Sequence, residues 1–208
     1  AVPPERDLHD ARVLGCVLGG AVGDAFGYAV EFDRWTTIQR KYGTKGLQQP
    51  VLRDGELVVS DDTQMTLFTL EALIESLPTQ GQPASSLQLR PFLAACQRAY
   101  RRWGHTQGVP LSDELLSGSQ LVHSPALRQR RAPGNTCLSA VRAGAGGTCE
   151  QPINESKGCG AVMRTAPLGL LANAPAEQAL GGGSTAGALT PGPVDGWPPA
   201  GPLAAITQ

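Results

Sequence analysis

Twenty-six glycines and seventeen prolines stand among 208 residues. Together they are about a fifth of the chain, against roughly an eighth in an average protein. Inside a helix, glycine costs about 1 kcal/mol relative to alanine and proline about 3. Such a chain builds short elements joined by many turns, except where close packing favours a glycine. Low-complexity chains begin at a higher share still. With 41% apolar and only 17% charged residues, disorder driven by charge is excluded. The expectation is a globular, loop-rich fold of a size that buries a core without covalent staples.

The bulk features remove several function classes. The formal net charge is -1 and the pI about 6.3. No block of like charge supplies a nucleic-acid face. The five cysteines, at 16, 96, 137, 149 and 159, are odd in number and have no CxxC spacing. A disulfide framework or zinc knuckle is not expected; reduced thiols in a cytoplasmic setting are. The first ten residues carry no apolar signal core. No stretch approaches the roughly 18 apolar residues of a membrane span.

Helical periodicity dominates. Leu8, Val13, Leu14, Val17, Leu18, Ala21 and Val22 predict a first helix. Its glycines, at 15, 19, 20 and 23, suggest close packing against another backbone or a ligand. Residues 24–59 read as an irregular loop region. Ser60-Asp61-Asp62-Thr63 then precedes Met65, Leu67, Phe68, Leu70, Leu73, Ile74 and Leu77, the pattern of a capped helix. A third helix is expected over 85–103, with short ones after Ser112 and Asn135. A further helical pattern runs from Val162 to Leu171. Gly181-Gly182-Gly183 should break any helix that begins at Pro175. Few runs alternate apolar with polar residues, so the fold class is mostly α.

Three segments carry chemistry. Ser60, Asp61, Asp62 and Thr63 offer adjacent hard oxygen donors, which suit Mg²⁺ or Mn²⁺ rather than zinc. Taken alone, they also describe a plain helix cap by Asp61 or Asp62 with no metal. The glycine-flanked segment from Gly23 to Phe32 carries two acids, Asp24 and Glu31. Glu31 lies between Val30 and Phe32, where a carboxyl can be tuned for proton transfer; a solvated loop acid is the plainer alternative. The third segment runs from Asn154 to Arg164. Its Gly158-Cys159-Gly160 turn opens a helical pattern and could offer N–H groups to a phosphate, or could be a structural turn. It is neither a P-loop nor a dinucleotide fingerprint. His9, His105 and His123 lack ligand spacing.

Together, and in this order, these segments resemble the ADP-ribosylglycohydrolase family, in its dinitrogenase-reductase-activating type. The matching residues are Gly19-Gly20-Ala21-Val22-Gly23-Asp24-Ala25 with Glu31-Phe32, then Ser60-Asp61-Asp62-Thr63-Gln64-Met65. Arg131-Ala132-Pro133-Gly134-Asn135-Thr136 follows, then Asn154 to Pro167, and finally Trp197, Pro199, Ala200 and Gly201. The resemblance implies an all-α helical bundle around a binuclear Mg²⁺ or Mn²⁺ site. It implies hydrolysis of the glycosidic bond between ADP-ribose and a protein side chain or small acceptor. Carried over, Ser60, Asp61 and Asp62 are metal ligands, and Glu31, Asp61 and Asp62 are the catalytic acids. Asn154, Ser156, Gly158, Cys159, Gly160, Ala161, Met163 and Arg164 form the substrate cradle.

Two departures from the family pattern matter. The family has a second acidic motif, Asp-x-Asp-Thr/Ser, well after the glycine-rich loop. This sequence has none; its only acid after Glu177 is Asp195. A family Thr-His step is replaced by Thr190-Pro191-Gly192-Pro193. The expectation is therefore one domain over 1–208, corresponding to the N-terminal portion of a family member and incomplete on its C-terminal side. Residues 172–208 would form an atypical, poorly packed Gly/Pro-rich tail. At most one weak metal site is expected. The partner would be an ADP-ribosylated protein or an ADP-ribose derivative. The alternative is an inactive shortened homologue that binds an ADP-ribose-like nucleotide or merely folds.

Overall fold

A computed structural model describes residues 5–77, 87–171, 174–190 and 196–207, with side-chain surroundings from residue 8 onward. Eight α-helices lie within these residues: α1 (Glu5–Tyr28), α2 (Trp35–Tyr42), α3 (Asp61–Ser76), α4 (Leu89–Thr106), α5 (Asp113–Leu116), α6 (Asn135–Arg142), α7 (Ala176–Ala188) and α8 (Ala200–Ile206). Short 3-10 turns occupy 121–123, 125–128, 162–164 and 166–170. The only extended pairing among the described residues is an isolated bridge between Arg53 and Glu56. The fold is all-α. It divides into two compact units, residues 1–63 and 64–208.

The irregular region expected over 24–59 is irregular in 43–59 but helical in much of its first half. α1 continues through Gly27 to Tyr28, and α2 follows after a short turn. α2 has Arg40 and Lys41 in its last turn, favourable against the negative end of the helix dipole. Gly43, at φ +86°, then turns the chain out of the helix, and its N–H still bonds Gln39 O. Such a left-handed exit suits glycine. The glycines of α1 are a second correction. A Cβ added at Gly15, Gly19, Gly20, Gly23 or Gly27 would meet nothing within 4 Å, so no backbone among the described residues approaches them closely.

The second unit holds the core. α3 contributes Met65, Phe68, Ala72 and Leu73, and α4 contributes Phe92, Ala95, Cys96, Ala99, Tyr100 and Trp103. The spacing of three and four residues sets these side chains on one face of each helix. Leu138 and Val141 of α6 and Leu168 pack on the same cluster. Within it, Gln64 Oε1 accepts from Trp103 Nε1 (3.1 Å) and Gln107 Nε2 (3.2 Å), and Gln64 Nε2 donates to Gln129 O (3.0 Å). The polar atoms of this buried amide are thus paired, as burial requires.

Two helix expectations fail for physical reasons. Val162 to Leu171 is a pair of 3-10 turns, because Pro167 brings no N–H and disfavours helix in the residue before it. Conversely, α7 runs straight through Gly181-Gly182-Gly183. A Cβ on Gly183 would sit 2.7 Å from Ala200 O, and one on Gly201 would sit 2.6 Å from Leu180 O. Gly183 and Gly201 let the backbones of α7 and α8 touch, Gly182 seats Leu168, and these contacts outweigh the poor propensity of the run. The described part of the tail is accordingly well packed: Ala179, Ala186, Ala200 and Ala204 are fully buried. Pro191, Gly192, Pro193 and Asp195 lie outside the described residues.

Candidate functional site

In the first unit the acids gather where α3 begins. Ser60 precedes the first helical residue, and its Oγ accepts from the Asp62 N–H at 3.1 Å. That is the ordinary serine cap. A second cap arrives from α1. Asp24 Oδ2 accepts from the Ser60 N–H (2.9 Å), the Thr63 N–H (3.2 Å) and the Thr63 hydroxyl (2.5 Å). In a capping box the helix's own third residue reaches back to the cap N–H. Here one distant carboxylate serves both main-chain donors. Asp24 therefore fixes the backbone that carries Asp61 and Asp62.

Charge crowding follows. Ser60 and Asp61 are buried, and Asp62 is partly so. Burial, then the charges of Asp61, Asp24 and Glu31, push the Asp62 carboxyl up to about 7 despite the Ser60 hydrogen bond. Glu31 is exposed in the turn after α1. Its carboxyl is also raised, by burial of part of the group and by Asp24. Like charges held together disfavour ionisation, and a hard dication would reverse that. In kind, the oxygen donors Ser60, Asp61 and Asp62 fit Mg²⁺ or Mn²⁺. Among the described residues, however, no three His, Cys, Asp or Glu side chains converge as a metal-holding group.

In the second unit the segment from Asn154 to Arg164 is a braced loop. Asn154 Nδ2 donates to Thr190 O (2.6 Å), while its Oδ1 accepts from the Ser156 N–H (3.0 Å). The Ser156 hydroxyl accepts from Thr136 Oγ1 (2.8 Å) and from the Gly158 N–H (3.2 Å). Both side chains thus shape the loop. Gly158 and Cys159 stand exposed at its outer side. Ala161 and Arg164 are fully buried, and Met163 packs against the core. The 3-10 turn that follows spans only Val162–Arg164, too short for the helix-end attraction expected from the sequence.

Sequence reasoning weighed Asp24 as one loop acid among two and gave it no site role. Its signal was its place in a helical register with Ala21, Ala25 and Tyr28, which makes it part of α1. Thr63 and Thr190 entered only as members of motifs, because nothing local marks a partner 36 or 39 residues away.

Among the described residues no helix is long and apolar enough to cross a membrane. Comparison with curated proteins and with solved structures gives no match. Comparison with family models does: residues 4–208 match ADP-ribosylglycohydrolase. That span takes in the acids at the start of α3 and the braced loop alike, and by it the chain belongs to the ADP-ribosylglycohydrolase family.

Proposed function

We propose that this chain hydrolyses the glycosidic bond joining ADP-ribose to a protein side chain or small acceptor, and that it needs Mg²⁺ or Mn²⁺ to do so. The family match over 4–208 carries the reading. The crowded acids at the start of α3 support its metal requirement. Ser60, Asp61 and Asp62 are the proposed ligands. A bound dication supplies orientation of the ribose hydroxyls and a lowered pKa for water.

The chain's own groups do the rest. Cleaving a ribosyl bond develops positive charge on the sugar, which ionised carboxylates stabilise. Glu31, exposed and with its carboxyl pKa raised by partial burial and by Asp24, holds a proton more readily than an ordinary glutamate and is suited to pass it on. Asp62 keeps a proton up to about pH 7 and must release it to act as a ligand. Asp24 holds both acids of α3 by way of the backbone. In the second unit, the loop from Gly158 to Ala161 is assigned to the diphosphate, with Asn154 and Ser156 as its braces.

The test is release of ADP-ribose from arginine- or serine-modified protein, with and without each metal. Metal-dependent release supports the proposal. No release from either acceptor at saturating Mg²⁺ or Mn²⁺ sinks the enzymatic claim. Calorimetry with ADP-ribose would then distinguish a chain that binds the nucleotide without turnover from one that only folds.

A further inference from the structure

Arg164 is fully buried, yet no carboxylate among the described residues pairs with it. Its acceptors come from separate segments. Nη1 donates to Gly160 O and approaches Cys137 Sγ of α6 at 3.7 Å. Nη2 donates to Ala186 O and Gly187 O in the last turn of α7, each at 3.2 Å. The guanidinium carbon lies 4.3 Å from the ring centroid of Tyr100 on α4. Carbonyl dipoles, the negative end of a helix and a ring face together carry the charge.

Burying a cation without an anion is costly, and an apolar side chain of similar volume would fill the space at less expense. The guanidinium does one thing such a side chain cannot: it fixes the direction of the Gly160 carbonyl. In a planar trans peptide the N–H of the next residue points the opposite way. The Gly160–Ala161 peptide is thereby set with its N–H aimed away from Arg164. The loop is also seated closely, since a Cβ on Gly160 would stand 2.6 Å from Cys137 Sγ.

We propose that Arg164 is a positioning residue: by anchoring the Gly160 carbonyl it sets the exposed turn at Gly158 and Cys159 that meets an anionic ligand, without touching that ligand. The proposal rests on the assignment of this loop to the diphosphate of ADP-ribose.

The experiment uses the full chain as wild type, Arg164→Lys and Gly160→Ala, with Gly160→Ala/Cys137→Ala as a rescue. Lysine keeps the charge but cannot fork to both Gly160 and α7. In Arg164→Lys, amide exchange over 157–163 should quicken about tenfold, as for one lost hydrogen bond, with α4 unchanged. ADP-ribose affinity, read by calorimetry, should fall about tenfold, and KM should rise more than kcat falls. Should Arg164→Lys fail to fold, Gly160→Ala moves the loop with Arg164 intact. It should lose affinity, and the double variant should recover it. Wild-type binding that Arg164→Lys retains in full overturns the positioning role alone, as does an unaffected Gly160→Ala. A wild-type chain that binds no ADP-ribose overturns the loop assignment, and the positioning role falls with it.

Discussion

The Asp24 cap is the place where the structure makes a two-signed prediction. In Asp24→Asn, the amide oxygen can occupy the position of Oδ2 and accept from the same three donors, the N–H groups of Ser60 and Thr63 and the Thr63 hydroxyl. Geometry survives and charge does not. Hydrogen bonds to an ionised acceptor are roughly twice as strong as neutral ones, which contribute about 1 kcal/mol each. With three partly buried bonds, about 2 kcal/mol of local stability should be lost. That corresponds to roughly thirtyfold faster opening, at about 1.4 kcal/mol per tenfold.

An opposing effect depends on pH. Asp24 repels Asp62 and helps to push its carboxyl up to about 7. Below that pH the folded chain holds Asp62 neutral, and removing the Asp24 charge relieves nothing from it. Above it Asp62 is ionised, and the substitution removes a repulsion as well as a cap. The loss should therefore be full at pH 5.5 and smaller at pH 8.5. The assay is amide exchange at Ser60 and Thr63 in the metal-free chain, as the ratio of variant to wild type at each pH. A ratio that does not fall from pH 5.5 to pH 8.5 would refute the coupling. A ratio near one at both would refute the cap.

Asp62 itself predicts a pH dependence. Its folded pKa is raised from 3.8 to about 7, so its contribution to stability is present below the unfolded value and is lost as pH rises through about 7. Taken in full, that displacement is worth about 4 kcal/mol, and partial exposure to solvent reduces it to about 2; denaturant titration of the metal-free chain from pH 4 to 8 reads it. Mg²⁺ should bind more tightly from pH 6 to 8 with release of up to one proton, measurable by calorimetry in buffers of differing ionisation enthalpy, whereas affinity flat across that range would exclude Asp62 as a ligand. Gly183→Ala should destabilise by about 1–3 kcal/mol, because its Cβ would stand 2.7 Å from Ala200 O and 2.9 Å from Ala204 Cβ. Gly181→Ala, with nothing within 4 Å, should instead stabilise by up to about 1 kcal/mol, and thermal melts of the two variants give the comparison. Arg102→Met should cost about 3 kcal/mol, since it strands the nearly buried Glu71 and removes main-chain bonds to Leu115 O (2.7 Å) and Ser117 O (3.0 Å); a melt unchanged within a degree would contradict this.

What the sequence shows and hides follows from range. α3 and α4 are legible because their apolar spacing is local and their starts are marked by Ser60 and by Pro91 near the first turn. The all-α class is legible for the same reason. That a cap stands at the start of α3 is readable from position, but the reading gives it to Asp61 or Asp62, whereas Ser60 supplies it and both acids lie inside the first turn. The capping role of Asp24 is not readable, because its donors lie 36 and 39 residues away. The passage of α7 through three glycines is hidden likewise: propensity argues against it, and the contacts that reverse the sign come from α8 and Leu168. Within the proposed cradle, residue type shows which side chains are polar but not which way they face. Arg164 reads as an anion ligand in sequence, and three main-chain carbonyls claim it in the fold.

The glycine excess then has a packing cause in the second unit and none among the described residues of α1. In the second unit each of Gly182, Gly183 and Gly201 stands where a methyl group would strike a neighbour, the Leu168 side chain for Gly182 and the facing backbone for the other two, so propensity is given up for close contact. In α1, Gly15, Gly19, Gly23 and Gly27 recur every fourth residue with open space around them. Beside them Leu14, Leu18 and Val22 recur at the same interval, each about half exposed. Five glycines weaken that helix by about 4–5 kcal/mol relative to alanine, with no packing among the described residues to offset them. From residue 8 to 63 only Ala25, Gly46, Ser60 and Asp61 are buried, so apolar burial contributes little to the first unit. Directed polar contacts weigh correspondingly more there, and three bonds to Asp24 tie α1 to the start of α3. The same carboxylate that holds the acids in place also raises the cost of ionising them. Stability and the proposed chemistry are therefore coupled through one side chain.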